Sequence, residues 1–177
     1  MLSQFRSTLL RAPRFTAART FKTSAASFLQ VGDSIPSVGS LREGSPGNEV
    51  DLAELTKSVC AFSPACSASH VPGYVQNLKE FTNKNYNVFV STVNDAFVTK
   101  AWADQLGEGS NVRFIADPEA EFAKAADLSI DATPFFGNIR NKRFVLIVED
   151  GKVKEQIVEP DNFGLDITKA EEILKKI

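Results

Sequence analysis

The order of apolar and polar positions divides the chain into short segments of two periods. Val75, Leu78 and Phe81 recur at helical spacing, so 75–84 reads as an amphipathic helix. Segment 87–93 is dense in Val and Phe and reads as a buried strand. The spacing over 94–106 predicts a second helix, with Phe97, Ala101 and Trp102 near one face. A short strand follows at 112–116. Asp117-Pro118 then predicts a helix start running to Leu128, because Asp accepts from unpaired first-turn N–H groups and Pro suits the first helical position. Two apolar runs, 143–148 and 153–158, flank Asp150-Gly151, a strong hairpin signal. The stretch 167–177 reads as an amphipathic C-terminal helix with lysines in its last turn.

Upstream of these elements the pattern is dominated by turn residues. Gly32-Asp33-Ser34-Ile35-Pro36 is one turn cluster, and 42–48 is a second, consistent with a hairpin between short strands. Segment 50–55 reads as a strand end followed by one helical turn. Pro64 suits the first turn of a helix through Cys66 and His70, which Pro72 should kink or interrupt. Strands and helices alternate and end in a hairpin. This order predicts an α/β fold with a central mixed β-sheet flanked by helices on both faces.

A length of 177 residues, 43% hydrophobic and 24% charged, suits one domain with a real core. No run of about 18 apolar residues occurs, so no transmembrane helix and no membrane partner is expected. Two cysteines, Cys60 and Cys66, cannot build a disulfide scaffold. A net charge of −2 gives no support for electrostatic binding to nucleic acid.

That net charge hides a split. Residues 1–32 carry Arg6, Arg11, Arg14, Arg19 and Lys22 and no acidic residue, whereas the remaining 145 carry 15 basic and 22 acidic side chains. A start rich in Arg and Ser and free of acids reads as a mitochondrial presequence, with a basic disordered tail as the alternative. Arg19-Thr20-Phe21 with Ser24 resembles the two-step processing signal of matrix proteins, which would leave a mature start at Leu29. The expected organisation is a presequence over 1–28, a single domain over 29–177 and a location in the mitochondrial matrix.

The chemistry concentrates in 59–70. A cysteine near a helix N-terminus meets partial positive charge from free backbone N–H groups, which favours its thiolate. Ser63, three residues before Cys66, has a hydroxyl that could bond the thiolate or an incoming oxygen. His70, the single histidine, follows Cys66 by four residues, which on a helix places both on one face. Taken alone, these residues support three readings: a reactive thiolate, an inert buried cysteine, or a metal site of Cys60, Cys66 and His70. The metal reading lacks the usual paired ligand spacing and an evident fourth ligand.

The segment Ala61-Phe62-Ser63-Pro64-Ala65-Cys66-Ser67-Ala68-Ser69-His70-Val71-Pro72-Gly73-Tyr74 resembles the peroxidatic-cysteine segment of type II peroxiredoxins. Three further segments match the same group in order. They are Val93-Asn94-Asp95-Ala96-Phe97-Val98 with Trp102; Phe136-Gly137-Asn138 with Lys142-Arg143-Phe144; and Val158-Glu159-Pro160-Asp161 with Asn162 and Gly164. The resemblance spans about residues 29–177. It implies a thioredoxin-like fold and a thiol peroxidase acting on hydrogen peroxide and alkyl hydroperoxides. Cys66 matches the peroxidatic cysteine, Ser63 the hydroxyl that orients the peroxide, and Arg143 the arginine that favours the thiolate. His70 matches a position close to the site and is assigned a supporting hydrogen bond. Arg140 is less well placed by the pattern, and Trp102 and Phe97 are assigned to packing or the subunit interface. No cofactor or metal is implied, and a homodimer is expected.

The chain departs from the family in two places. The C-terminal stretch 164–168 holds no resolving cysteine, so an external thiol is expected to recycle Cys66: glutathione with glutaredoxin, or thioredoxin. Cys60 is the one internal candidate, on a segment the family uses otherwise. In addition, one central strand is missing before the active-site helix. Only Thr56-Lys57-Ser58-Val59-Cys60 separates Leu55 from Ala61, too few for a buried strand with a loop on each side. Val59 stands where the motif proline is expected. Three accounts remain open: a lost coding segment, an isoform with impaired folding, or a slide of 50–59 into the vacancy. A catalytically impaired redox-sensing or binding isoform is the alternative to the enzyme.

Overall fold

The computed structural model describes residues 29–52, 65–106 and 110–177. The presequence expected over 1–28, the departure from the family over 56–60, and both Cys60 and Ser63 lie outside the described residues. β1 (Arg42–Glu43) opens the order. A π-helical turn (Cys66–His70) leads into α1 (Val71–Gln76) and α2 (Leu78–Asn83). β2 (Phe89–Thr92), α3 (Ala96–Leu106), β3 (Arg113–Ala116) and α4 (Glu121–Ala125) follow. β4 (Ser129–Asp131), α5 (Thr133–Phe136), β5 (Ile139–Asn141), β6 (Phe144–Glu149), β7 (Lys152–Val158) and α6 (Ala170–Leu174) complete it.

β2 and β3 pair in parallel and β1 adds antiparallel to β3, which makes a mixed sheet in the order β1-β3-β2. β6 and β7 form the antiparallel hairpin predicted around Asp150-Gly151. Both turn residues have positive φ, 51° and 73°, the conformation that a two-residue turn matched to strand twist demands. Alternate strand residues enter two apolar clusters. Val90, Phe114, Val145 and Ile147 join Tyr74, Phe81, Trp102 and Ile173 from α1, α2, α3 and α6. Phe89, Ile115, Phe144 and Leu146 join Phe122, Leu128 and Leu41 on the other side. The sheet and the hairpin thus share one layer with helices on both faces, as the alternation of elements predicts.

β2 and β6 are buried along nearly their whole length. Among the described residues each pairs with a strand on one side only. The remaining edge of β2 is met by side chains: Asn141 Nδ2 donates to Ser91 O at 3.2 Å and Arg140 Nη1 to Val93 O at 3.0 Å. Among the described residues, Ser91 Oγ, Asn141 Oδ1 and Arg140 Nε are buried with no hydrogen-bond partner. Unmatched polar groups inside a core are costly.

Several local expectations shift. Pro72 does not interrupt the helix that follows Cys66. It falls in the first turn of α1, where the chain continues as helix from the π-helical turn, and the break comes at Asn77 instead. In α3 the buried face is Ala96, Thr99 and Trp102, while Phe97 is 67% exposed and Ala101 faces solvent. Phe97 and Ala101 are four residues apart and share a face; Trp102 is one step further round the helix. The helix expected from Pro118 begins at Glu121, after Ala120 in the left-handed region. Asp117 still caps it: Oδ1 accepts from Glu121 N at 2.9 Å and Oδ2 from Ala123 N at 3.1 Å. The C-terminal helix begins at Ala170, later than predicted. Among the described residues no helix is long and apolar enough to cross a membrane.

Candidate active site

Cys66 opens the π-helical turn, and Val71 N donates to Cys66 O across five residues. Pro72 has no N–H to give to the carbonyl of Ala68, and the turn ahead of it is wound wide. In a turn of this width, residues four apart point nearly the same way. Cys66 and His70 are both buried, at 1% and 2% exposure, while Ala68 and Ser69 face solvent.

Arg143 arrives from the opposite side of the chain. It immediately precedes β6, where Arg143 N donates to Asn162 O at 2.8 Å and Glu159 N to Arg143 O at 3.0 Å. Its side chain is 3% exposed for the whole residue. Nη1 donates to Cys66 Sγ at 3.0 Å and to His70 Nδ1 at 3.0 Å, and Nε donates to Phe163 O at 3.1 Å. One guanidinium nitrogen thus uses its two hydrogens on the cysteine and the histidine. A fixed cation in contact with the sulfur is placed to offset negative charge that develops at that atom.

His70 is held at both ring nitrogens. Nε2 lies 2.9 Å from Thr168 O. A carbonyl only accepts, so Nε2 carries the hydrogen and Nδ1 receives the one from Arg143. Burial pushes the imidazole down to about 4, and Arg143 pushes the same way, against the opposing pull of the Thr168 carbonyl and Glu159. His70 is therefore neutral at physiological pH. Tyr74 Oη donates to the same Thr168 carbonyl at 2.8 Å and packs edge-on to His70 and stacked on Phe81.

Of the residues singled out in the sequence, Cys66, His70 and Arg143 come together. Arg140 does not join them: its Nη1 donates to Val93 O and to Asn94 Oδ1 at 2.9 Å. Trp102 is buried against Phe114, and its Nε1 donates to Ser67 Oγ at 2.9 Å, so it braces the turn that carries Cys66. The metal reading needed Cys60, Cys66 and His70 together. Cys60 lies outside the described residues, and both His70 nitrogens are engaged by Thr168 and Arg143. No group of three metal-ligating side chains occurs among the described residues. Glu159 lay within a segment that matches the family but was given no role, and Thr168 was not singled out. The signal for Glu159 there is an acid at the end of an apolar strand, in the matched segment that continues as Pro160-Asp161.

Known proteins share this arrangement of elements. Residues 30–174 match the Redoxin family. The chain is 39% identical over 155 residues to peroxisomal membrane associated protein 20 of Schizosaccharomyces pombe, covering 83% of this chain and 98% of that protein. It is 36% identical over 118 residues to peroxiredoxin-2C of Oryza sativa, covering 66% of this chain and 72% of that one. Reduced Prx3 of Vibrio vulnificus in complex with hydrogen peroxide superposes with a TM-score of 0.76 at 28% identity, over 85% of this chain and 100% of that one. Peroxiredoxin 5 of Alvinella pompejana gives 0.73 at 25%, over 83% and 96%. A redoxin-family match over most of the chain, together with curated and structural relatives that are peroxiredoxins, makes this chain a member of the Redoxin family with the thioredoxin-like peroxiredoxin fold, a thiol peroxidase.

Proposed function

We propose that the chain is a type II peroxiredoxin of the mitochondrial matrix that reduces hydrogen peroxide and alkyl hydroperoxides through Cys66, in antioxidant defence and redox homeostasis. The observation that carries the assignment is the 3.0 Å contact between Arg143 Nη1 and Cys66 Sγ inside a buried site. The Cys66 thiolate attacks one peroxide oxygen. The S–O bond forms as the O–O bond breaks, the leaving oxygen takes a proton and departs as water or alcohol, and Cys66 is left as sulfenic acid. Arg143 holds positive charge where negative charge develops. Ser63 supplies the hydroxyl that orients the peroxide, and His70 fixes the Arg143 guanidinium.

The second half of the cycle uses an outside thiol. A first thiol displaces water from the sulfenic acid to give a mixed disulfide, and a second releases the Cys66 thiol while the reductant leaves as a disulfide. Glutathione with glutaredoxin, or thioredoxin, fills this role, because the C-terminal stretch carries no resolving cysteine. The assembly is a homodimer, for which the exposed Phe97 and Phe135 offer apolar surface.

Peroxide consumption by the purified full chain, compared with Cys66→Ser, tests the assignment; equal rates in the two proteins refute it. Supplying glutathione with glutaredoxin, or thioredoxin with its reductase, identifies the reductant by which mixture sustains turnover. Import into isolated mitochondria followed by N-terminal sequencing tests the location, with Leu29 as the expected mature start.

A further inference from the structure

Glu159 stands at the end of β7 and is almost wholly buried, at 2% exposure. Burial pushes its carboxyl upward, but bonds from Asp166 N, Thr168 Oγ1 and Thr168 N, with the Arg143 charge, outweigh this and hold it below its ordinary value. The carboxylate touches neither Cys66 nor any described side chain bonded to it. Instead Oε1 alone accepts three bonds, from Asp166 N at 2.8 Å, Thr168 N at 2.9 Å and Thr168 Oγ1 at 2.7 Å. Those bonds close the loop 159–168 back on itself.

Among the described residues, the backbone carbonyls that meet the His70 and Arg143 side chains come from this loop. Thr168 O receives His70 Nε2 and Tyr74 Oη. Phe163 O receives Arg143 Nε, and Asn162 O receives Arg143 N. A shift of the loop would therefore displace the arginine and the histidine together. Misplacement of reacting groups by about 1 Å costs as much as about 100-fold in rate.

We propose that Glu159 is a positioning residue of the Cys66 site, which holds Thr168 so that His70 and Arg143 stay aligned on the cysteine sulfur. The inference rests on the reading of Cys66 as the reacting group, and it assigns the work to the reach of the carboxylate oxygen, not to its charge. A negative charge beside the site would by itself offset part of the guanidinium's positive charge there, so reach and charge act in opposite directions.

Two conservative variants separate them. Glu159→Gln keeps an acceptor oxygen at the same distance and removes the charge. Glu159→Asp keeps the charge and withdraws the oxygens by about 1.5 Å, one carbon–carbon bond. The measurements, on the full chain, are the alkylation rate of Cys66 by iodoacetamide at pH 7, followed on the Cys66 peptide by mass spectrometry, and the rate of hydrogen peroxide consumption. Positioning predicts Glu159→Gln within about threefold of wild type in both and Glu159→Asp at least about tenfold slower in both. Wild-type rates in Glu159→Asp overturn the inference, as does a loss in Glu159→Gln equal to that in Glu159→Asp. If Glu159→Asp fails to fold, Glu159→Gln decides: near-wild-type rates support positioning and a tenfold loss rejects it. Alkylation does not depend on peroxidase turnover. A wild-type chain that consumes no peroxide defeats the functional reading and leaves the positioning test intact.

Discussion

Arg143 and Cys66 are 77 residues apart in the chain, yet the arginine Nη1 lies 3.0 Å from the cysteine sulfur and uses its second hydrogen on His70 Nδ1. A nitrogen shared in this way ties sulfur, guanidinium and imidazole into one rigid unit. The unit is buried, so bulk water does little to screen the cation from the sulfur.

Replacing Arg143 with lysine should therefore be severe despite the retained charge. An ammonium on a flexible stem cannot reproduce the planar fork that reaches Cys66, His70 and Phe163 O at once. Loss of a preorganised donor of this kind costs about 100-fold or more in rate. Stopped-flow measurement of peroxide reduction by Arg143→Lys checks this, and a rate near wild type would remove Arg143 from the mechanism.

Arg140 should behave in the opposite way. Its donors serve Val93 O and Asn94 Oδ1 at the end of β2, away from the sulfur. Arg140→Met should leave Cys66 alkylation within about twofold and lower stability by roughly 1–3 kcal/mol, the cost of leaving those acceptors unpaired. Urea denaturation and alkylation measured on one preparation separate the two effects.

The neutral His70 imposes a pH dependence on folding. Its folded pKa, about 4, lies below the ordinary 6.5, so between these values the unfolded chain binds a proton that the folded chain refuses. Stability from this residue is complete above about pH 6.5 and falls as pH drops toward 4, by on the order of 3 kcal/mol in all. His70→Gln should show a flatter dependence of unfolding free energy between pH 6.5 and 4. Parallel curves for the two proteins would contradict a buried neutral imidazole.

Trp102 links the core to the turn that carries Cys66. Trp102→Phe keeps an aromatic ring against Phe114 but loses the bond to Ser67 Oγ. It should cost about 1 kcal/mol, whereas Trp102→Ala should cost roughly 3–5 kcal/mol through the cavity it leaves. Thermal or urea midpoints of the two variants give the comparison directly.

What could be read along the chain depended on how local its cause is. The Asp150-Gly151 hairpin was legible because two adjacent residues with positive φ decide it. The pairing of Cys66 with His70 was legible because it needs only four residues of helical winding, and β2 and β3 because apolar β-formers crowd into them. β4 and β5 were not foreseen: each has three residues, and they are joined through α5 with no tight-turn dipeptide between them. Asp117 was recognised as a cap, but Ala120 in the left-handed region delays the helix to Glu121. Spacing alone left Cys66 open among reactive, inert and metal-bound states.

By itself the sequence determined the class of the fold, most of its longer elements, and the identity of cysteine, histidine and arginine as the residues to watch. Only the tertiary structure decided which nitrogen of Arg143 meets the sulfur, that His70 is held neutral between Arg143 and Thr168, and that Glu159 braces the loop behind them. Propensity, capping and turn chemistry act over a few residues and are written in neighbouring positions. A hydrogen bond across 77 or 98 residues depends on how the sheet, the hairpin and the C-terminal loop pack, and no local pattern records that.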